Sequence, residues 1–231
     1  MDNIFVSAVV VAAGNSSRMG LKISKQFIDL GGEPVIAHTL RAFERSDVID
    51  GVVVVCREND KMQIENIVSE KGFNKVRATV LGGATRDESV RNGVFGCDER
   101  TPHFAIHDGA RPLISQDDIK KVVACAVENG CAVLGTFVTD TIKVVNDKNE
   151  IISTPERSTL RAVQTPQVFE KSIYLKALKF AKENKEPVTD DCKLVENIGE
   201  KIHIVLGSET NIKLTTQNDI KLARNILKEV N

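Results

Sequence analysis

The chain has 231 residues, 42% of them hydrophobic and 27% charged, with 31 Lys and Arg against 32 Asp and Glu. This length fits one large domain or two small ones, and a formal net charge of −1 excludes a surface built wholly to grip nucleic acid or an anionic membrane, which needs a basic excess. Aromatic residues make up only 4% and Trp is absent, which argues against stacking platforms for single-stranded nucleic acid.

The first apolar run, Ile4 to Ala13, is too short to span a bilayer, and only Asp2 precedes it where a signal peptide would carry Lys or Arg. It reads as a buried first strand, Val6–Ala12, of a cytoplasmic protein. Further β-branched runs follow at Val52–Cys56, Ala78–Leu81, Phe104–His107 and Ala132–Val138, separated by helical patterns near Pro34–Arg45, Lys61–Lys71, Asp87–Cys97 and Asp117–Glu128. The strands are continuous apolar runs, as expected where helices cover both sheet faces. The alternation predicts a Rossmann-like, doubly wound α/β fold with a mostly parallel sheet. After Val138 the pattern changes. Thr141–Val145 and Glu150–Ser153 flank the turn-rich Asn146–Asn149 and predict a hairpin arm within 138–160. Such an arm exposes its edges unless it pairs, often with another copy of the chain. The chain returns through Gln164-Thr-Pro-Gln167 to a helix at Lys171–Asn184, a strand at Ile202–Leu206 and a closing helix at Asn218–Glu229. There is no internal repeat or long linker, so residues 1–231 read as a single domain. The five cysteines form no C-x-x-C pair and read as small apolar fillers in a reducing compartment.

Ligands of open α/β sheets collect outside the carboxyl ends of the strands. After the first strand, Ala12, Ala13, Gly14 and Asn15-Ser16-Ser17 let backbone N–H groups approach an anion, and Arg18, Lys22 and Lys25 follow with positive charge. That combination suits a triphosphate, although a solvated loop with incidental charges has the same composition. It is neither a P-loop nor a dinucleotide fingerprint. After the third strand, Gly82 and Gly83 precede a helix start, where Arg86, Ser89 and Asn92 share one face able to read a base edge. A simple Gly turn with a capped helix is the alternative. After the fourth strand, His107-Asp-Gly-Ala-Arg-Pro112 puts Asp108 where Mg²⁺ would be held, with Arg111 either paired to it or on phosphate. A buried structural Asp–Arg pair is again the alternative, and His103 and His107 read as packing or hydrogen-bonding residues.

Eight motifs occur in one order: Ala-Ala-Gly with Arg18-Met-Gly, Lys25-Gln-Phe, Gly-Gly with Arg86 and Ser89, His107-Asp-Gly-Ala-Arg-Pro, Asp140-Thr-Ile-Lys, Gln164-Thr-Pro-Gln, Thr189-Asp-Asp and Asn211-Ile-Lys. Together they resemble the signature of the 2-C-methyl-D-erythritol 4-phosphate cytidylyltransferases of the non-mevalonate isoprenoid pathway, from about Val6 to the final helix. The resemblance implies CMP transfer from CTP to methylerythritol phosphate, with Mg²⁺ or another divalent cation. It implies catalytic roles for Arg18, Lys25 and Lys213, and a CTP site of Ala12, Ala13, Gly14, Gly82, Gly83, Arg86, Ser89, Asp108 and Gly109. It implies acceptor contacts by Asp108, Arg111, Thr141, Arg157, Thr165, Thr189 and Lys213, with Asp108 on the metal. The arm is implied to cross to a second subunit, so that a homodimer completes each site with Thr141 and Arg157. The pattern departs from many relatives at Asn15-Ser16-Ser17, Phe137 and Arg161. Two alternatives stay open: a ribitol 5-phosphate cytidylyltransferase, or a non-catalytic nucleotide-binding homologue. Ser89-Val-Arg-Asn-Gly93 and the run from Thr189 to Glu196 favour the methylerythritol branch.

Overall fold

The computed structural model describes residues 4–14, 24–184 and 189–230. Strands β1 (Val6–Val11), β2 (Gly51–Cys56), β3 (Val76–Leu81), β4 (His103–Asp108) and β5 (Cys131–Phe137) alternate with helices α1 (Val35–Glu44), α2 (Glu58–Lys71), α3 (Arg86–Phe95) and α4 (Gln116–Asn129). A small hairpin, β6 (Val144–Val145) and β7 (Ile151–Ser153), is followed by β8 (Arg161–Glu170), α5 (Lys171–Asn184), α6 (Asp191–Glu196), β9 (His203–Leu206) and α7 (Gln217–Val230). The α/β architecture and protruding hairpin are those expected. Among the described residues no helix is long and apolar enough to cross a membrane.

The seven-stranded sheet runs β3-β2-β1-β4-β8-β5-β9. Strand order therefore reverses between β1 and β4, which opens a crevice at their carboxyl ends. Period-two alternation sends successive β1 side chains to opposite cores. Ala8 and Val10 join Ile36, Leu40 and Phe43 of α1, Ile64 of α2 and Ile119 and Val122 of α4. Val9 faces Val90 and Val94 of α3, Tyr174 of α5 and Leu194 of α6. Helix α3 lies so close to the sheet that a Cβ on Gly93 would come within 2.4 Å of Val9 and 2.6 Å of Val55. The cysteines are free, and burial pushes Cys56 and Cys131 up to about 11 and Cys97 to about 12, which keeps these three thiols protonated near neutral pH.

The sheet is mostly parallel, as expected, but three details differ from the sequence reading. Residues 161–170 form an unexpected ten-residue strand inserted antiparallel between β4 and β5. Pro166 argues against a central strand. It is accommodated where the β5–β8 register shifts, between the Val133–Gln167 and Gly135–Val163 pairs. Helix α6, nucleated by Asp190 accepting the Lys193 N–H at 2.9 Å, was not expected because six residues are too few to show periodicity. The arm strands are shorter than expected: only Val144–Ser153 and Val145–Ile151 pair, and Thr141 lies outside them. At the arm's root, Phe137 and Arg161 are register partners, and the guanidinium stacks 4.4 Å from the ring centroid. Two departures from the resembled pattern thus meet each other.

Ahead of α1, Glu33 accepts from both guanidinium nitrogens of Arg41 and, at 2.8 Å, from Lys71 of α2. Those hydrogen bonds hold its carboxyl at about 2. A depressed carboxylate contributes stability above its unfolded pKa that is lost as pH falls through its folded value. Glu33→Gln is therefore expected to cost about 0.5–1 kcal/mol at pH 7, as for a partly exposed network, with the difference vanishing towards pH 2. Urea unfolding monitored by circular dichroism at both pH values checks this.

Candidate active site

A cavity of about 490 Å³ opens at the strand-order reversal. The loop after β1 contributes Ala13 and Gly14 and the following 3-10 turn contributes Lys25 and Gln26; Gly83, Ala84 and Thr85 come from the β3–α3 turn, Arg86 and Ser89 from the start of α3, Asp108 and Ala110 from the end of β4 and the residues after it, and Lys213 from the β9–α7 connection. The close approach of these loops depends on small residues. A Cβ on Gly82 would meet Ala13 at 2.6 Å and the Ser89 hydroxyl at 2.8 Å. The Gly83 N–H donates to Ser89 Oγ (3.1 Å), which donates to the Thr85 carbonyl (2.8 Å). Thr85 caps α3 by accepting the Glu88 N–H. Ala12 is buried beneath, its carbonyl accepting from Gln26 Nε2 at 3.2 Å. The Gly109 carbonyl, beside Asp108, is held by the Thr39 hydroxyl at 3.0 Å.

Asp108 is the electrostatic centre. Lys213 Nζ lies 2.7 Å and Arg111 Nε 3.6 Å from its Oδ2, and Arg86 Nε lies 3.8 Å from its Oδ1. Burial alone would raise its pKa, but Lys213, Arg86 and Arg111 overcome that and lower it to about 2. Even with Asp191 counted against Arg86, the three cations outnumber the carboxylates, and the resulting positive excess favours a polyanion. Burial likewise works against the charge on Arg86, but Asp191 and Asp108 hold its pKa above the ordinary value. The firmer partner is Asp191 of α6, 2.7 Å from Arg86 Nη1, and Asp191 also accepts from the buried Tyr174 hydroxyl at 2.7 Å. Arg111 donates through Nη1 to the Asn211 carbonyl at 2.7 Å. The Asn211 amide donates to Gln164 Oε1 and the Thr165 carbonyl, which ties the connection carrying Lys213 to β8.

The expected site residues thus divide into groups. Lys25, Lys213, Ala13, Gly14, Gly83, Arg86, Ser89 and Asp108 line one cavity, with Ala12, Gly82, Gly109 and Arg111 packed around it. Arg18 and Lys22, with Asn15-Ser16-Ser17, lie outside the described residues. Asn92 does not join Arg86 and Ser89 on a base-reading face; its amide instead donates to the Leu81 carbonyl at 3.0 Å. Thr165 is buried beneath Asp108, and Thr189 is exposed just before α6. Thr141 and Arg157 do not line this cavity: Thr141 is exposed in the arm, and Arg157 donates to the Thr139 carbonyl at 2.8 Å near the arm's root. Sequence reasoning missed Arg57, which lines the cavity and is braced by Asp60 at 2.8 Å. It directly follows β2, so the strand-end rule applied to that strand would have found it. Gln26 and Asp191 were also missed as site residues, although both sit inside recognised motifs.

Glycine-lined turns, a cation cluster and an ionised aspartate at a parallel-sheet reversal are chemistry suited to a phosphorylated ligand. The family profile of 2-C-methyl-D-erythritol 4-phosphate cytidylyltransferase matches residues 6–229, and the chain belongs to that family. A cytidylyltransferase of that name from Alkaliphilus oremlandii is 40% identical over 230 residues, covering 99% of this chain and 98% of the relative. Another, from Desulforamulus reducens, is 41% identical over 227 residues, covering 98% and 97%. The crystal structure of the 4-diphosphocytidyl-2C-methyl-D-erythritol synthase of Anaerococcus prevotii superposes with a TM-score of 0.88 at 31% identity, covering 98% of this chain and 100% of that one.

Proposed function

We infer that the cavity around Asp108 is where CTP and 2-C-methyl-D-erythritol 4-phosphate react. The reaction of this family forms the CDP-alcohol and pyrophosphate. An oxygen of the acceptor's phosphate forms a bond to the α-phosphorus of CTP, the bond from the α-phosphorus to the α,β-bridging oxygen breaks, and pyrophosphate leaves with that oxygen and the electron pair. No protein base is required, because a phosphate monoester with a second pKa of about 6 is already ionised near pH 7. The obstacle is bringing two anions together and offsetting charge on the five-coordinate phosphorus. Lys25 and Lys213, with Arg18, supply that positive charge. Ala13, Gly14, Gly83 and Ser89 shape the nucleotide cradle, and Arg86 and Arg111 keep Asp108 ionised. The observation that carries this reading is the convergence of Lys213, Arg86 and Arg111 on Asp108 within 3.8 Å at the sheet's reversal.

The donor set fits a divalent cation delivered on the nucleotide. Mg²⁺ commonly takes one or two carboxylates and completes its shell with water and phosphate oxygens. Asp108 is such a carboxylate, ionised, with Oδ2 held by Lys213 at 2.7 Å and Oδ1 3.8 Å from the Arg86 guanidinium. Among the described residues no group of three His, Cys, Asp or Glu could cage a metal without the nucleotide. Mg²⁺ held by Asp108 would neutralise triphosphate charge.

The chain acts as one domain whose 138–160 arm joins two subunits. Ile142, Val144, Val145, Ile151 and Ile152 are exposed along it, a run of apolar surface that a second copy would cover. Thr141 and Arg157 would then contact the acceptor in the partner's cavity, alongside Thr189. Free thiols at all five cysteines suit a reducing cytoplasm.

Two measurements test this reading. Pyrophosphate release from CTP is expected with methylerythritol phosphate and to be far slower with ribitol 5-phosphate; turnover with ribitol phosphate alone would reassign the acceptor, and silence with both would leave only a binder. Arg157→Ala is expected to impair acceptor use, and mixing it with Lys25→Ala should restore about a quarter of wild-type activity by random subunit exchange if each site borrows Arg157. Verified mixed dimers with no recovery would mean that each site is self-contained.

A further inference from the structure

The hydrogen bonds beneath Asp108 can be followed atom by atom. The β4–β8 ladder ends at Ile106–Gln167, because the next β8 residue is Pro166, which has no N–H. The backbone N–H of Asp108 then turns to a side chain, donating to Thr165 Oγ1 at 3.1 Å. The same oxygen lies 3.0 Å from Nδ1 of His107, whose other nitrogen, Nε2, lies 3.1 Å from the Arg111 carbonyl. His107 is 0% exposed and Thr165 4% exposed. A carbonyl only accepts, so Nε2 carries the proton. In a neutral imidazole Nδ1 is then the acceptor, and the Thr165 hydroxyl must donate to it. Phe43, packed edge-on 5.0 Å from the imidazole, fixes the ring plane.

We propose that His107 is a positioning residue: it fixes the direction of the Thr165 hydroxyl, which in turn fixes the Asp108 backbone and so the carboxylate at the centre of the site. The proposal deepens the reading of this site as a cytidylyltransferase centre and rests on it for the kinetic arm of its test. It departs from the resemblance at one residue. A hydroxyl has one proton, and that of Thr165 is spent on His107, so Thr165 serves the acceptor through Asp108 instead of donating to the acceptor's phosphate. The chain of contacts also joins both flanks of Asp108, since His107 precedes it and holds the carbonyl of Arg111, whose guanidinium faces the same carboxylate.

The tautomer is read on the resting protein by nitrogen NMR of histidine-labelled samples, with His107 identified by its loss in His107→Gln. The expected result is the Nε2–H tautomer, with an Nδ1 resonance that moves in Thr165→Val. An Nδ1–H tautomer or an imidazolium at pH 7 would overturn the proposal. This measurement needs no substrate, so it stands whether or not the assigned reaction does. Kinetically, Thr165→Val is expected to lower kcat roughly tenfold while the KM for methylerythritol phosphate stays within about twofold, with Thr165→Ser restoring most of the rate. A tenfold or larger rise in acceptor KM at unchanged kcat would instead make Thr165 a direct substrate contact.

Discussion

Lys25→Ala is expected to lower turnover by roughly 10²–10³ with the fold intact, the loss typical of one transition-state charge contact. Lys25 follows the glycine-bearing loop of β1 and lines the same cavity as Lys213 and Arg86. It sits on a three-residue 3-10 turn whose next residue, Gln26, is buried and bonded to Ala12. The backbone at this turn is anchored by Gln26. The effect should fall on kcat more than on the KM for CTP, because the α-phosphorus gains charge only as the acceptor attacks. Steady-state kinetics with both substrates varied, alongside an unfolding curve, measures it. A variant with near-normal kcat would remove Lys25 from the chemistry. Arg18→Ala is expected to lower turnover to a similar degree on the charge argument alone.

Asp108→Asn has the second large effect, and it reaches stability as well as rate. Removing the carboxylate leaves Lys213, Arg86 and Arg111 facing one another without their shared counter-charge. Turnover is expected to fall by about 10² or more, since cation placement is lost together with the carboxylate proposed to hold a divalent cation. The stability effect has a definite sign. The folded pKa of about 2 lies below the ordinary 3.8, so Asp108 contributes stability above about pH 4 that disappears as pH falls towards 2. That shift corresponds to roughly 2 kcal/mol at neutral pH, an upper figure because the partner cations retain some solvent. Denaturant unfolding of wild type and Asp108→Asn at pH 7 and near pH 2.5 should show a gap that closes with acid. Over the neutral range Asp108 stays ionised, so any acid limb of activity above pH 5 must arise from another group, the acceptor phosphate among them.

The sheet and the helices that cover it were largely legible because burial on both faces leaves uninterrupted apolar strands such as Val52–Cys56, and because amphipathic helices such as α1 and α4 keep their period. The tight turns lining the cavity were legible for a different reason: Gly82 and Gly83 mark places where a Cβ would collide, with Ala13 and Glu88 respectively. Strand β8 was hidden by Pro166, whose effect on a ladder depends on a register shift that only the assembled sheet reveals. Asn92 shares a helix face with Arg86 and Ser89, as spacing requires, yet helical spacing cannot say that its amide turns back to Leu81. Arg57 was overlooked because it stands alone, without glycine or a second cation beside it. Asp191 was seen only as part of a motif; its burial against Tyr174 and Arg86 depends on α5 and α6 packing over α3, a tertiary fact with no local signature.

The contact between Arg111 and the Asn211 carbonyl spans 100 residues of chain, and Lys213 stands just beyond it. A polypeptide emerging from the ribosome therefore completes β1 to β4 long before the segment that supplies Lys213 and anchors Arg111 has been made. Until that last stretch docks, the growing chain carries glycine turns and an aspartate but not the finished charge cluster. Competence to handle nucleotide should arrive late and all at once, so that half-made or C-terminally clipped molecules are silent and not sluggish.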